Sequence, residues 1–199
     1  MLLGEIADIR AGLVLTRKKA TIEYNVQATY KLLTLKNFNE DGSFNSEPFE
    51  EFHSNEKLEQ HYFSAEGDVL IRLSHPNTAI CVGKQHSGLL VPSYFAIIKV
   101  HHSEFLPEYI AWYLNSDTVK KELERSQSGS RIPSTNKNVL SAIPIPFITV
   151  AKQKAVIELF KLHQKEKALY QKLIEEKEQL FKVVSQQIVE EAFKEDKNG

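Results

Sequence analysis

The chain is predicted to be an α+β protein: a globular body over residues 1–150, followed by a long helical region over residues 151–199. Three observations carry this. In the first hundred residues, short runs rich in β-branched and aromatic side chains alternate with Gly-, Pro- and Asn-containing turns. Two helical patterns follow without the regular strand–helix alternation of a parallel sheet, and no internal repeat is visible. From Ala151 to Glu195 there is no proline or glycine, and helix formers dominate.

Taken in order, "GEIADIR" (4–10) reads as a short helical turn closed by Gly12. Residues 28–38 alternate and are rich in β-formers, predicting a strand. "NEDGSF" (39–44) carries Asp41-Gly42 and is the best hairpin turn in the chain. A short helix is predicted from Asn55 to His61, with Ser54 as its N-cap. "VLIRLS", "TAICVG" and "SYFAIIKV" then read as strands, punctuated by His75-Pro76-Asn77 and by residues 83–88. Pro107 opens one helix, and Asp117 N-caps a second. Residues 127–138 form a polar loop, "VLSA" a short turn, and "IPIPFI" (143–148) an extended segment, because each proline fixes φ and disfavours a helical residue before it.

The tail has an apolar stripe: Leu159, Leu162, Leu169, Leu173, Leu180, Val184 and Ile188. Glu166 and Glu176 interrupt its heptads, so the seam is imperfect as a coiled coil. Some 45 helical residues span about 67 Å, more than the diameter of a 150-residue globule. Most of this helix cannot lie on its own body. Leaving the stripe in water would forfeit about 1.5–3 kcal/mol per side chain, so it needs a partner.

Composition excludes several classes. Hydrophobic content of 42% is enough for a core. A single cysteine, Cys81, rules out a disulfide framework and suits a reducing compartment. Neither a signal sequence nor an apolar run of 18 residues is present, which predicts a cytoplasmic protein. The net charge of −1 conceals segregation. Residues 40–68 carry a net −8, whereas residues 69–103 and 125–157 contain cations and no acid. Local positive faces can hold a polyanion even on a neutral chain. Ordinary surface charge accounts for the same distribution equally well.

No motif assembles a catalytic site. Ser134-Thr135-Asn136-Lys137 fits a Ser-x-x-Lys pattern, but its companion motifs are absent. Glu175-Glu176-Lys177 is better explained as a solvated helix face than as part of a nuclease metal site. The seven histidines do not cluster at metal spacing, and Cys81 lies in an apolar strand, where a buried thiol is the usual finding. Neither a Gly-rich phosphate loop nor a methyltransferase motif appears. The chain is therefore predicted to be non-catalytic, without a cofactor or metal of its own.

What remain are polar loops able to meet nucleic acid. They offer Arg17, Lys18 and Lys19; Arg72, Ser74 and His75, with Asn77 beside them; Lys84, Gln85 and His86; and Ser130, Arg131, Asn136 and Lys137. Arg and Lys suit guanine edges and phosphates, Asn and Gln suit adenine, and Ser serves either role. Loops are polar in most proteins, so the set carries more weight than any one member.

The order of "LGEIADIRAG", "YKLLTLKNF", "GDVLIRLS", "GLLVPSYFAIIKV", "FLPEYIAWYLNS", "SGSRIPSTNKNVLSAIPIPF" and "AKQKAVIELF" resembles one target-recognition domain, plus one helical spacer, of the DNA specificity (S) subunits of type I restriction-modification systems. The likeness covers essentially the whole chain. Lys152 departs from it, since the family commonly has an acid before the glutamine (here Gln153). So does length: whole S subunits carry two recognition domains and two antiparallel helices, and this chain has one of each.

The resemblance implies a half-subunit that reads a short sequence in double-stranded DNA. Its helix would pair as an antiparallel coiled coil with a second copy, as a homodimer, or with another half-subunit. Methyltransferase (M) subunits carrying S-adenosylmethionine would modify adenine, and a motor/restriction (R) subunit can add cleavage. The alternative from the residues alone is a protein-interaction adaptor oligomerised by its helix. A third is a recognition domain cut from a larger fused enzyme; Met1 just before the first motif favours a separate gene or a careful truncation.

Overall fold

The computed structural model describes residues 1–127 and 134–195. It divides into two compact units, Met1–Ile157 and Glu158–Gly199. In the first, an antiparallel sheet of order β1-β6-β4-β5 is built from Ala7–Ala11 (β1), Val69–Arg72 (β4), Ala79–Cys81 (β5) and Phe95–Val100 (β6). A second, two-stranded sheet pairs Ala28–Leu32 (β2) with Glu50–Ser54 (β3). The helices are Leu3–Ile6 (α1), Pro107–Leu114 (α2), Asp117–Gln127 (α3), Lys137–Ser141 (α4) and Val150–Glu195 (α5). The α+β class predicted from the sequence is the one observed.

Strands β4 and β6 are near-continuous apolar runs because both faces of the sheet are covered. One face sets Ile9, Val69, Ile71 and Ile98 against Tyr109, Ile110 and Leu114 of α2, Leu123 of α3 and Leu140 of α4. The other sets Leu70, Ile80 and Ile97 against Leu33, Phe38 and Val91. A third cluster (Leu13, Leu32, Phe52, Phe63, Leu90) lies beneath the two-stranded sheet. The outer edge of β5 is closed by the Asn115 side chain, which accepts from the Ala79 amide at 2.8 Å and donates to its carbonyl at 2.7 Å. A covered edge offers no template for unwanted strand pairing.

Several elements differ from expectation. Only Leu3–Ile6 of the first segment is helical; Ala7–Ala11 pairs with β6, which takes Ala7 and Ile9 into the core. Gly12 closes no helix there. A Cβ on it would overlap the Val91 and Pro92 carbonyl oxygens, so glycine is what lets the two chain segments approach. The 28–38 strand ends at Leu32, and a 3-10 turn follows at Leu35–Asn37. Gly42, at φ +82, makes the expected turn, but that turn joins only the isolated Phe38–Phe44 bridge. No α-helix forms over 55–61. Ser54 ends β3, and only Gln60–Tyr62 coils, as a 3-10 turn. The α3 N-terminus is capped by Ser116, whose Oγ accepts from Val119 N at 3.5 Å; Asp117 is already helical.

The proline segment is extended as predicted. Ile143 and Ile145 are buried, while Pro144 and Pro146 face outward. The segment lies against residues 1–3: Leu3 N donates to Ile143 O and Ile145 N to Met1 O. The first turns of α5 then join the body through Gln153 and Ile157, both buried.

The second unit is the remainder of α5. The 46-residue helix is about 69 Å long. Every predicted stripe residue is exposed, from 42% at Val184 to 69% at Leu159. Tyr170, Ile174, Phe181, Val183 and Val189 are exposed beside them. No helix among the described residues is long and apolar enough to cross a membrane.

Candidate nucleic-acid interface

β4 and β5 bring the central cluster together. Arg72 ends β4, and the turn to β5 carries Ser74, His75, a cis peptide before Pro76, and Asn77 at φ +52. Asn77 shapes this turn: its Nδ2 donates to Arg72 O at 3.1 Å, and its amide to Ser74 O at 2.9 Å. Asn is one of the few non-glycine residues that tolerates positive φ. The Arg72 guanidinium lies over the turn, with Nη2 donating to His75 O at 3.3 Å.

The segment after 133 docks on the same turn. Ser134 bridges Ser74, and Thr135 N donates to Leu73 O at 2.6 Å. Arg72, Ser74, His75, Ser134, Asn136 and Lys137 therefore gather at one end of the four-stranded sheet; His75, Ser134, Asn136 and Lys137 are exposed. Asn136 has a structural task as well. Its Oδ1 accepts from Asn138 N (2.9 Å) and Val139 N (3.2 Å), capping α4. Beneath the exposed groups, Arg72 Nε, Thr78 Oγ1 and Thr135 Oγ1 are buried with no hydrogen-bond partner among the described residues. Such unspent donors mark a place where a polar ligand or water completes the set. Ser130 and Arg131, the other members of this predicted group, lie outside the described residues.

The other predicted groups sit elsewhere. Arg17, Lys18 and Lys19 are attached to the end of β3: Asn55 N donates to Lys18 O, and Lys19 bridges Ser54. Lys18 is paired with Glu56 at 2.6 Å, whereas Arg17 and Lys19 are exposed with no ion pair among the described residues. Lys84, Gln85 and His86 form a 3-10 turn after β5, at the end of the sheet away from Arg72. Lys84 and Gln85 are exposed, but the His86 ring stacks on Phe44 with centroids 3.8 Å apart. Burial lowers its pKa below 6.5, which favours a neutral, packed imidazole over a phosphate contact.

Burial, with Glu108 and Asp68 nearby, pushes the Cys81 thiol up to about 12, so it is not a nucleophile. Among the described residues, no three His, Cys, Asp or Glu side chains converge on a metal position. As residues to face DNA, the sequence singled out Arg72, Ser74 and His75 but not Ser134 or Thr78. Their relevance comes from pairings across the fold, for which no local signal exists.

No protein-family model matches the chain, and no curated protein matches it. Solved structures do. The HsdS subunit from Thermoanaerobacter tengcongensis is similar over 87% of this chain and 43% of its own, at 16% identity and a TM-score of 0.65. A chain from a structure of the type I R-M system is similar over 85% of this chain and 38% of its own, at 16% identity and a TM-score of 0.56. The type I restriction-modification S subunit from M. genitalium is similar over 86% of this chain and 40% of its own, at 13% identity and a TM-score of 0.51. The chain thus has the fold of type I restriction-modification specificity subunits, over a span that matches 38–43% of those chains.

Proposed function

We propose that this chain is a non-catalytic DNA-recognition element of a type I restriction-modification assembly. Its body reads one short half of a bipartite duplex site. Its α5 pairs antiparallel with α5 of a second copy, or of another half-subunit, and so sets the distance between two half-sites. Methyltransferase subunits bring S-adenosylmethionine and the adenine chemistry, and a motor/restriction subunit can join them. One observation carries this reading: a specificity-subunit fold spanning under half of its neighbours' length, with the whole stripe of α5 exposed. A single half reads a single half-site, and an exposed stripe of this length supports pairing with another helix.

The test is binding of the full chain to a randomised duplex pool at rising salt. Recognition through phosphates predicts a linear fall of log K with log[salt], as counterions are released. Arg72→Ala with Lys137→Ala is expected to weaken binding and reduce that slope by about two. An adaptor that binds only protein retains no duplex at any salt. Four residues inserted after Glu176 turn the two ends of α5 relative to one another by roughly a full turn plus a rise of about 6 Å. The half-site spacing should change or binding should be lost; an unaltered footprint counts against the helix as spacer.

A further inference from the structure

Between the cations at 17–19 and strand β2 runs a short loop, residues 21–26, whose tip exposes two large apolar side chains. Tyr24 is 90% exposed and Ile22 55%. Neither has a hydrogen-bond or ring partner among the described residues. Exposed apolar residues are common singly, but a nearly bare tyrosine beside an exposed isoleucine on so short a loop is a feature to explain.

The loop is held firmly at its base. Ala20 N donates to His53 O at 2.9 Å, and Gln27 N donates to Ser54 O at 2.8 Å, so both ends are bonded to adjacent residues of β3. The Lys19–Ser54 bridge adds to this, and Asn25 N closes the tip onto Ile22 O at 3.0 Å. A projection of this kind presents its side chains with little left to order on binding.

Its charged neighbours bear on the partner. Three acids of β3 and its continuation face cations: Glu56 with Lys18 at 2.6 Å, Glu50 with Lys36 at 3.7 Å, and Glu51 in register opposite Lys31; Glu23, between Ile22 and Tyr24 in the sequence, is the acid of the loop itself. Arg17 and Lys19, exposed and with no ion pair among the described residues, stand just before the loop. Exposed cations beside an apolar tip suit phosphates beside a base step. Apolar side chains enter such steps as wedges, and aromatic rings stack on bases whatever their identity.

We propose that the 21–26 loop is a wedge: Ile22 and Tyr24 enter the base stack of the bound duplex while Arg17 and Lys19 hold the adjacent phosphates. This rests on the DNA-recognition reading above and adds an unstacked step to it. The wedge gives specificity through the sequence-dependent cost of unstacking, apart from hydrogen bonds to base edges.

The test uses the full chain and a duplex it selects from a randomised library, with 2-aminopurine substituted at successive positions. The wedge predicts one position at which fluorescence rises on binding, as that base leaves the stack. Tyr24→Ala should abolish the rise and weaken binding about tenfold, whereas Tyr24→Phe should keep both. Arg17→Ala with Lys19→Ala should instead reduce the salt slope by about two. Tyr24 is too exposed for its loss to unfold the body, which an unchanged melting temperature verifies. If the wild-type chain selects no duplex, the DNA reading fails and the wedge with it. If it binds but no position brightens, or Tyr24→Ala brightens the same position with the same affinity, the wedge alone is wrong.

Discussion

Gln153 and Leu106, 47 residues apart, are joined by a 2.8 Å hydrogen bond from the Leu106 amide to Gln153 Oε1, in a side chain with no solvent exposure. The same amide's Nε2 donates to Glu104 O at 2.6 Å and Ile148 O at 2.9 Å. One glutamine thus satisfies three backbone groups at the start of α5 and locks its first turn to the loop before α2. A buried polar group is costly only when left unpaired, and here none is.

Gln153→Leu leaves those three backbone groups without this partner. The body should lose about 2–4 kcal/mol, read as a lower urea midpoint with an unchanged slope. A midpoint equal to wild type contradicts the locking role.

Asn136 caps α4 through two amides, so its loss costs stability before any question of DNA arises. Asn136→Ala should destabilise by about 1 kcal/mol, and Asn136→Ser by much less, since serine also caps. If duplex binding falls equally in both variants, Asn136 also contacts DNA. If only the alanine variant is affected, and in proportion to its stability, capping is its whole role.

The Asp68 carboxyl is buried, and this desolvation raises its pKa above 3.8 despite the Ala65 amide, Lys99 and Arg10. The folded state therefore keeps this proton to higher pH than the unfolded chain does. The stability it contributes is fully present below pH 3.8 and falls as pH rises through the raised value. Asp68→Asn removes the titration while keeping an acceptor for the Ala65 amide. Melting curves from about pH 4 to about pH 8 should show the variant gaining on wild type as pH rises. A constant difference across that range contradicts the assignment.

The α5 stripe is exposed in the single chain, so charges placed there should not disturb the body. Leu173→Glu with Leu180→Glu is expected to convert an associating chain to a monomer in sedimentation. The melting transition of the body should stay within about 0.5 kcal/mol of wild type, as for exposed sites generally. Unchanged association would place the pairing face elsewhere.

Much of the fold was legible from local chemistry, and what was missed has physical causes. The prolines at 144 and 146 already implied that the 143–148 segment is extended. The apolar runs at 69–72 and 95–100 read as strands from their length and their bounding turns. By contrast, "EEFHS" has the polarity of a helix start, and only its pairing with β2 makes it a strand. Likewise "ADIRA" is too short to outvote the helical turn beside it, until β6 supplies a partner. For the candidate site, residue types singled out several polar loops, but which loops meet is a tertiary fact: the Ser74–Ser134 bridge joins two of them, and the sheet sends Lys84–His86 to its other end. His86 reads in the sequence as a turn histidine, and only the fold shows its ring stacked on Phe44.

The most direct measurement is selection of a randomised duplex library by the full-length chain, followed by sequencing. Two identical bodies joined through antiparallel helices should enrich an inverted repeat: two short half-sites separated by a fixed spacer of indifferent sequence. Enrichment of a single undivided site, or of none, would contradict the account.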